Sequence, residues 1–269
     1  MIDVIKQKIA GSSSNEEKIN KTREFLQLLA LKVLFDRKYF NNVAFVGGTA
    51  LRVLYDLKRF SEDLDFSLIH AKDFAFKSLI NDLKNDLNHY GLSVEVPLKD
   101  KNTVNSCMIK FPGILNDLGL SGFKDQKLSI KFEIDTNPPK GWGLALTPVT
   151  SSFVFAVNHF DLPSLFATKI HACFFRKYSK GRDFYDLIWY LGKKVKPNYK
   201  LLNNAIIQTE HEHKELDQKN IRDFMKEKIK HLDFPDLRKD VERFLEDKSE
   251  LNMIEKDILT GIIDSAGWL

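Results

Sequence analysis

The spacing of apolar and polar positions changes character part-way along the chain. Up to about residue 158 it mixes a 3.6-residue with a 2-residue period, the marks of helices and half-buried strands. From residue 163 to 269 it is helical almost throughout, with breaks near Lys196-Pro197-Asn198 and Phe234-Pro235. The pattern predicts an α/β first domain over 1–158, with an N-terminal helix, and a helical domain over 159–269.

Serines at 12–14 are suited to cap a helix. Phe25, Leu28, Leu29 and Phe35 then fall on one face, widened by Leu31, Val33 and Leu34, which predicts a long, largely buried helix. "VAFV" at 43–46 reads as a short buried strand ended by Gly47 and Gly48, residues 49–57 as a helix, and 64–69 as the next strand. An amphipathic helix is predicted within 71–91, closed by Gly91. Residues 92–98, 105–111 and 128–135 alternate as strands do when one face is buried. The stretch 137–143 is rich in turn residues, and a last apolar run covers 152–157.

Composition narrows the class. The 269 residues are 43% hydrophobic, enough for a sizeable core, and the net charge of +4 permits a polyanionic partner without requiring one. Cys107 and Cys173 lack CxxC spacing, so reduced thiols are expected. "MIDVIKQKIAGSSSNEEK" has no apolar signal core, and no stretch approaches roughly 18 consecutive apolar residues, so a soluble cytoplasmic protein with no membrane partner is expected.

The chemistry concentrates in "FVGGTALRVLYDLKRFSEDLDF" at 45–66. Residues i and i+2 of a strand point the same way, so Asp63 and Asp65 share a face while Leu64 and Phe66 enter the core. Two adjacent carboxylates call for a cation, and magnesium, a hard ion that bridges carboxylates to phosphates, is the natural candidate. "KFEID" supplies a third carboxylate, Glu133 or Asp135, for a metal-binding set. Gly47 and Gly48 would let the backbone approach phosphates at a helix N-terminus, with Thr49 adding a hydroxyl donor. The Gly-Lys-Ser/Thr ending of a Walker A loop is absent, as is the third glycine of a dinucleotide fingerprint. Each feature alone has an ordinary structural reading: a solvent-facing strand and a tight turn.

Strand, Gly-Gly-Thr, helix, then a strand with Asp-x-Asp together resemble the nucleotidyltransferase superfamily that includes polymerase beta. More closely, "GGTALR" with "RFSEDLDF" resembles the AbiEii/AbiGii-type toxins, nucleotidyltransferases of abortive-infection and toxin–antitoxin systems. The resemblance implies an α+β fold, a mixed sheet flanked by helices, followed by a helical C-terminal domain. It also implies a second motif, a helical lysine and then Arg-Asp-x-x-Asp-Leu, which "ATKIHACFFRKYSKGRDFYDL" supplies as Lys169, Arg182, Asp183, Asp186 and Leu187. The match spans roughly 44–191. Glutamate often precedes the motif lysine in relatives, whereas Thr168 stands here.

By this resemblance Asp63, Asp65, Lys169 and Asp183 are the expected catalytic residues. Gly47, Gly48, Thr49, Arg52, Lys169 and Arg182 are expected to bind nucleotide, and Asp63, Asp65 and Glu133, with Asp135 competing, to bind metal. Lys169 would meet triphosphate oxygens across a cleft, and Asp183 would orient it or act as a base. Arg52 would support the phosphates or pair with Glu62 or Asp63. Magnesium, with manganese as the other suitable ion, and a nucleoside triphosphate are implied, with an RNA 3′ end such as tRNA as acceptor and a cognate antitoxin as partner. Nucleotidylation of a protein side chain and a non-catalytic nucleotide-binding module are the competing readings.

Other features read as packing or solvated surface. These are "HEHKE" at 211–215, the lone His159 and His171, Cys173, and the mixed-charge run at 225–240.

Overall fold

The computed structural model describes residues 1–97, 104–211 and 215–268. By their contacts these residues fall into two units. The first is Met1–Asp56, Phe60–Pro138 and Leu146–His159; the second is Leu57–Arg59, Pro139–Ala145 and Phe160–Leu269.

In the first unit, helix α1 (Ile2–Ile9) was not foreseen, and it buries Ile5 and Ile9 beside α2 (Asn15–Asp36). The serine cluster caps α2 as expected. Ser14 Oγ accepts from the Glu17 N–H at 3.1 Å, and the Ser13 N–H and hydroxyl both reach the Glu17 carboxylate. The buried stripe runs from Phe25 to Leu34. It stops before Phe35, which is 40% exposed at the helix end, so that position leaves the predicted core.

A six-stranded mixed sheet forms the centre of this unit. Its strands are β1 (Val43–Val46), β2 (Asp63–Leu68), β3 (Val104–Pro112), β4 (Lys127–Asp135), β5 (Leu144–Val149) and β6 (Phe155–Phe160). They lie in the order β3-β4-β2-β1-β6-β5. The β1–β2 and β3–β4 pairs are antiparallel, and the β2–β4 and β1–β6 pairs parallel. Helices α3 (Gly47–Tyr55), α4 (Phe76–His89) and the short α5 (Ile114–Asp117) complete the unit. Leu64, Phe66, Phe132 and Ile134 bury one face of the sheet. The Phe66 ring lies 4.9 Å from Phe132 and 5.3 Å from Phe45, and such a ring stabilises the core by about 1.5–3 kcal/mol.

Three sequence expectations are corrected here. Within 92–97 the only ladder contact among described residues is Glu95 with Lys110, because Pro97 has no N–H to extend a strand; Leu98 lies outside the described residues. Helix α4 begins at Phe76 rather than near 71, after Asp73 in a left-handed conformation. The sequence pattern assigns residues 144–149 to no element, yet they form β5, and the apolar run that opens at 152 becomes strand β6 only from Phe155. Pro148 and the exposed Leu144 and Leu146 disguise β5, an edge strand where proline is tolerated.

The second unit holds α6 (Leu162–Phe174), α7 (Gly181–Gly192), α8 (Tyr199–Glu210), α9 (Ile221–Ile229), α10 (Phe234–Glu242) and α11 (Lys256–Ser265). The predicted breaks are helix starts. Asn198 caps α8 by accepting from the Leu201 N–H. Asp233 caps α10, with Pro235 in its first turn, where a missing N–H costs nothing. Gly181 opens α7 against the Leu237 carbonyl, leaving no room for a Cβ. Among the described residues no helix is long and apolar enough to cross a membrane.

Candidate functional site

The first cluster grows from the end of β1. Helix α3 begins at Gly47, so the glycines form its first turn rather than a loop before it, and their N–H groups belong to the set a helix leaves without internal partners. Gly47 has φ +79°, and a Cβ there would lie 2.5 Å from Asp65 Oδ2. The register explains the closeness, since Val46 sits opposite Asp65 across the β1–β2 ladder. The Thr49 hydroxyl is buried and donates to the Asp63 carbonyl, a bond that ties α3 to β2. Gln27, which the sequence did not single out, is also buried and donates to the Ser61 and Asp63 carbonyls.

Gly91 has φ +77° but open space where its Cβ would stand, and so provides a control. Gly91→Ala is expected to lose about 1 kcal/mol for the backbone conformation alone, and Gly47→Ala at least about 1 kcal/mol more for the overlap with Asp65. Thermal unfolding of the two variants checks this; equal losses would mean that the Asp65 contact does not constrain the turn.

The carboxylates occupy the sheet face opposite Leu64 and Phe66. In the parallel β2–β4 ladder Asp63 stands beside Lys131, Asp65 beside Glu133, and Ser67 beside Asp135. Glu133 is thus the direct neighbour of Asp65, one pleat nearer than Asp135. Lys131 Nζ lies 2.7 Å from Glu133. Burial would lower the Lys131 ammonium, but its bond to Glu133 and the charges of Asp63 and Asp65 raise it. Asp135 is pushed up by burial, opposed by the Asn137 N–H it accepts at 2.9 Å. Among the described residues no three acidic, histidine or cysteine side chains are gathered as a ready-made metal cage. Three oxygen donors on adjacent pleats do have the chemistry of a hard divalent cation's ligands.

The remaining arginine of the first motif helix faces elsewhere. Arg52 Nε lies 2.6 Å from Glu24 on α2, with its guanidinium 4.7 Å from the Phe60 ring centroid.

The second cluster lies within the helical unit. Lys169 on α6 is buried, with Nζ 2.6 Å from Asp183 Oδ1 and 2.8 Å from Asp186 Oδ2, both on α7. Burial would lower the ammonium, but the two carboxylates raise it and keep it charged. Arg59, which comes from inside the first motif, completes the set. Its guanidinium meets Asp186 with two parallel bonds of 2.6 Å and is 2% exposed. A sequence signal existed, an arginine in one motif and a spare acid in the other, but their separation of 127 residues concealed the pairing. Arg176 Nη1 reaches the other Asp183 oxygen at 2.9 Å. Arg182 lays its guanidinium 4.3 Å from the Phe244 ring centroid and approaches Asp240.

Burial alone would raise the Asp183 carboxyl, but Lys169 and Arg176 outweigh it and hold it at about 2. A carboxyl depressed in the folded state stabilises above its unfolded value and loses that stabilisation as pH falls toward its folded one. Denaturation of the native chain is therefore expected to ease between about pH 4 and pH 2, and Asp183→Asn to flatten that acid limb. An unchanged limb would remove Asp183 as its source.

The features set aside in the sequence fall into place. His159 is fully buried with Nε2 2.8 Å from the Thr147 hydroxyl, and His171 stacks on Phe175. Burial pushes the Cys173 thiol well up, as expected of a packed rather than nucleophilic cysteine. His211 is exposed, while His213 lies outside the described residues.

Each unit thus carries one cluster. One has carboxylates against a glycine-started helix, suited to a cation and a phosphate chain; the other has a buried ammonium and guanidinium shared between two carboxylates. The sequence matches the family described as "Nucleotidyl transferase AbiEii toxin, Type IV TA system" over residues 29–257. The fold is similar to JHP933 from Helicobacter pylori, with a TM-score of 0.59 and 19% identity over 92% of this chain and 91% of that one. It is also similar to an H. pylori protein assigned to the nucleotidyltransferases, with a TM-score of 0.52 and 19% identity over 91% of this chain and 93% of that one. No curated protein matches in sequence.

Proposed function

From the premise that the chain belongs to the AbiEii nucleotidyltransferase toxin family of type IV toxin–antitoxin systems, we propose a magnesium-dependent enzyme that moves a nucleoside monophosphate from a triphosphate to an RNA 3′ end, with tRNA as the first acceptor to test. The observation that carries this reading is the register that sets Asp65 beside Glu133 and against Gly47. It brings the glycine turn and the carboxylates close together, which supports a shared phosphate and metal site.

Asp63, Asp65 and Glu133 would hold magnesium, which when bound neutralises phosphate charge. The Gly47 and Gly48 N–H groups at the start of α3 would receive triphosphate oxygens. The acceptor hydroxyl forms its bond to the α-phosphorus as the bond to the β-phosphate oxygen breaks, pyrophosphate departs, and the hydroxyl proton passes to a carboxylate of the same sheet face. Lys169, held charged by its two carboxylates, would offer positive charge to phosphate oxygens. A carboxyl held at about 2, with both oxygens occupied, suits Asp183 to orienting Lys169 better than to accepting a proton. The toxin would act in the cytoplasm, where triphosphates and RNA are at hand, and an antitoxin would oppose it.

The test supplies α-labelled and, separately, γ-labelled nucleoside triphosphates with magnesium and total cellular RNA and protein. Label reaching RNA from the α position alone is the expected result. Label on protein would move the acceptor to a side chain, label from the γ position would indicate a kinase, and no transfer with retained nucleotide affinity would indicate a binding module.

A further inference from the structure

We propose that the connection between α6 and α7, with Lys228 of α9, is the docking surface for the single-stranded RNA that the enzyme extends. The sequence sets it apart: residues 162–182 hold five lysines and arginines and no acidic residue. Three of these cations, Arg176, Lys177 and Lys180, interleave with Phe175 and Tyr178 in "FRKYSK".

The structure gives the segment the two properties that sequence-tolerant RNA surfaces combine, a cationic track and an open aromatic face. Tyr178 is 71% exposed, far from its usual half-buried state, with the Lys177 ammonium 5.3 Å from its ring centroid. No carboxylate pairs with Lys177, Lys180 or Lys228 among the described residues. The base of the track is packed aromatic rings. Phe175 stacks between neighbours, 5.3 Å from His171 and 5.4 Å from Phe224, and Lys228 stands about 6 Å over it. A cavity of about 470 Å³ opens there, lined by Phe174, Phe175, Arg176, Lys177 and Lys228, with Glu210 as its one acid, a volume suited to one nucleotide.

Arg176 ties this surface to the second motif. It is half exposed, yet it holds the Asp183 oxygen opposite the one that holds Lys169. A phosphate drawn along the track therefore ends one carboxylate away from the motif lysine. Cations without carboxylate partners beside a ring left open for a base to stack on are the pair of features single-stranded RNA uses together, and they favour it as the occupant.

The inference rests on the RNA-acceptor reading, and its test separates the two. The full chain carrying Asp65→Asn, which is expected to bind without turning over, is titrated into a fluorescent single-stranded RNA of roughly 12 nucleotides and followed by anisotropy. Tyr178→Ala added to that background is expected to weaken binding roughly 5- to 150-fold, and Tyr178→Phe to leave it unchanged. Lys177→Ala with Lys180→Ala is expected to reduce the salt slope by about 1.4. Native-like RNA affinity in Tyr178→Ala, no RNA binding by the parent chain, or a poly-glutamate that competes equally with RNA would each overturn the proposal. Transfer to RNA with full efficiency in the Tyr178 and lysine variants would also overturn it while sustaining the acceptor reading. RNA binding without any transfer would sustain the surface and sink the reaction instead.

Discussion

Asp65→Asn is expected to lower nucleotidyl transfer by about 10²–10³-fold or more, with little loss of fold. Asparagine keeps the shape of the side chain beside Gly47, so the turn and the β1–β2 register survive while the charge and one acceptor oxygen are lost. Glu133→Gln is expected to follow it, since Glu133 stands directly beside Asp65. Asp135→Asn is expected to retain most activity, because Asp135 lies one pleat further along, beside Ser67. The three variants, assayed for transfer of α-label with thermal unfolding as the control, form one experiment. A loss in Asp135→Asn equal to that in Glu133→Gln would exchange their roles.

The second large effect is on stability. Arg59→Met leaves Asp186 in the core without its guanidinium partner and facing Lys169, and breaking a buried ion pair in this way costs about 3–5 kcal/mol. For a unit of this size that is a fall of roughly 6–20 °C in melting temperature. Adding Asp186→Asn is expected to restore part of the loss, because the carboxylate left without its guanidinium is then neutral and Lys169 keeps Asp183. A double variant no better than the single one would show that Arg59 acts by filling space rather than by charge.

The parts of the fold that were legible in the sequence have one-residue rules behind them. Leu64 and Phe66 alternate with Asp63 and Asp65, so the strand and both its faces followed from a period of two. Ser14 and Gly91 announce helix ends by local chemistry. What stayed hidden depends on distant partners. Strand β5 shows its apolar residues to solvent and carries Pro148, so its local pattern argues against the ladder it joins. Thr49 reads as a phosphate donor, and nothing near it in sequence announces that the Asp63 carbonyl accepts its hydroxyl. Arg52 finds Glu24, and Arg59 finds Asp186, by contacts that no spacing within the motif encodes. The motifs named the family well because they are local; the electrostatic company each charged residue keeps is tertiary.

Arg59 and Asp186 also carry a consequence for the time a chain spends on the ribosome. The residues between them take roughly 6–25 s to synthesise at ordinary elongation rates. Throughout that interval the guanidinium of the nascent chain has no Asp186 to receive it. The segment Leu57–Arg59 belongs by its contacts to the later-made unit, although the residues on either side of it belong to the earlier one. Translation that stalls before residue 186 thus yields a first motif whose Arg59 lacks its ion pair, and the bridge from Arg59 to Leu245 waits longer still.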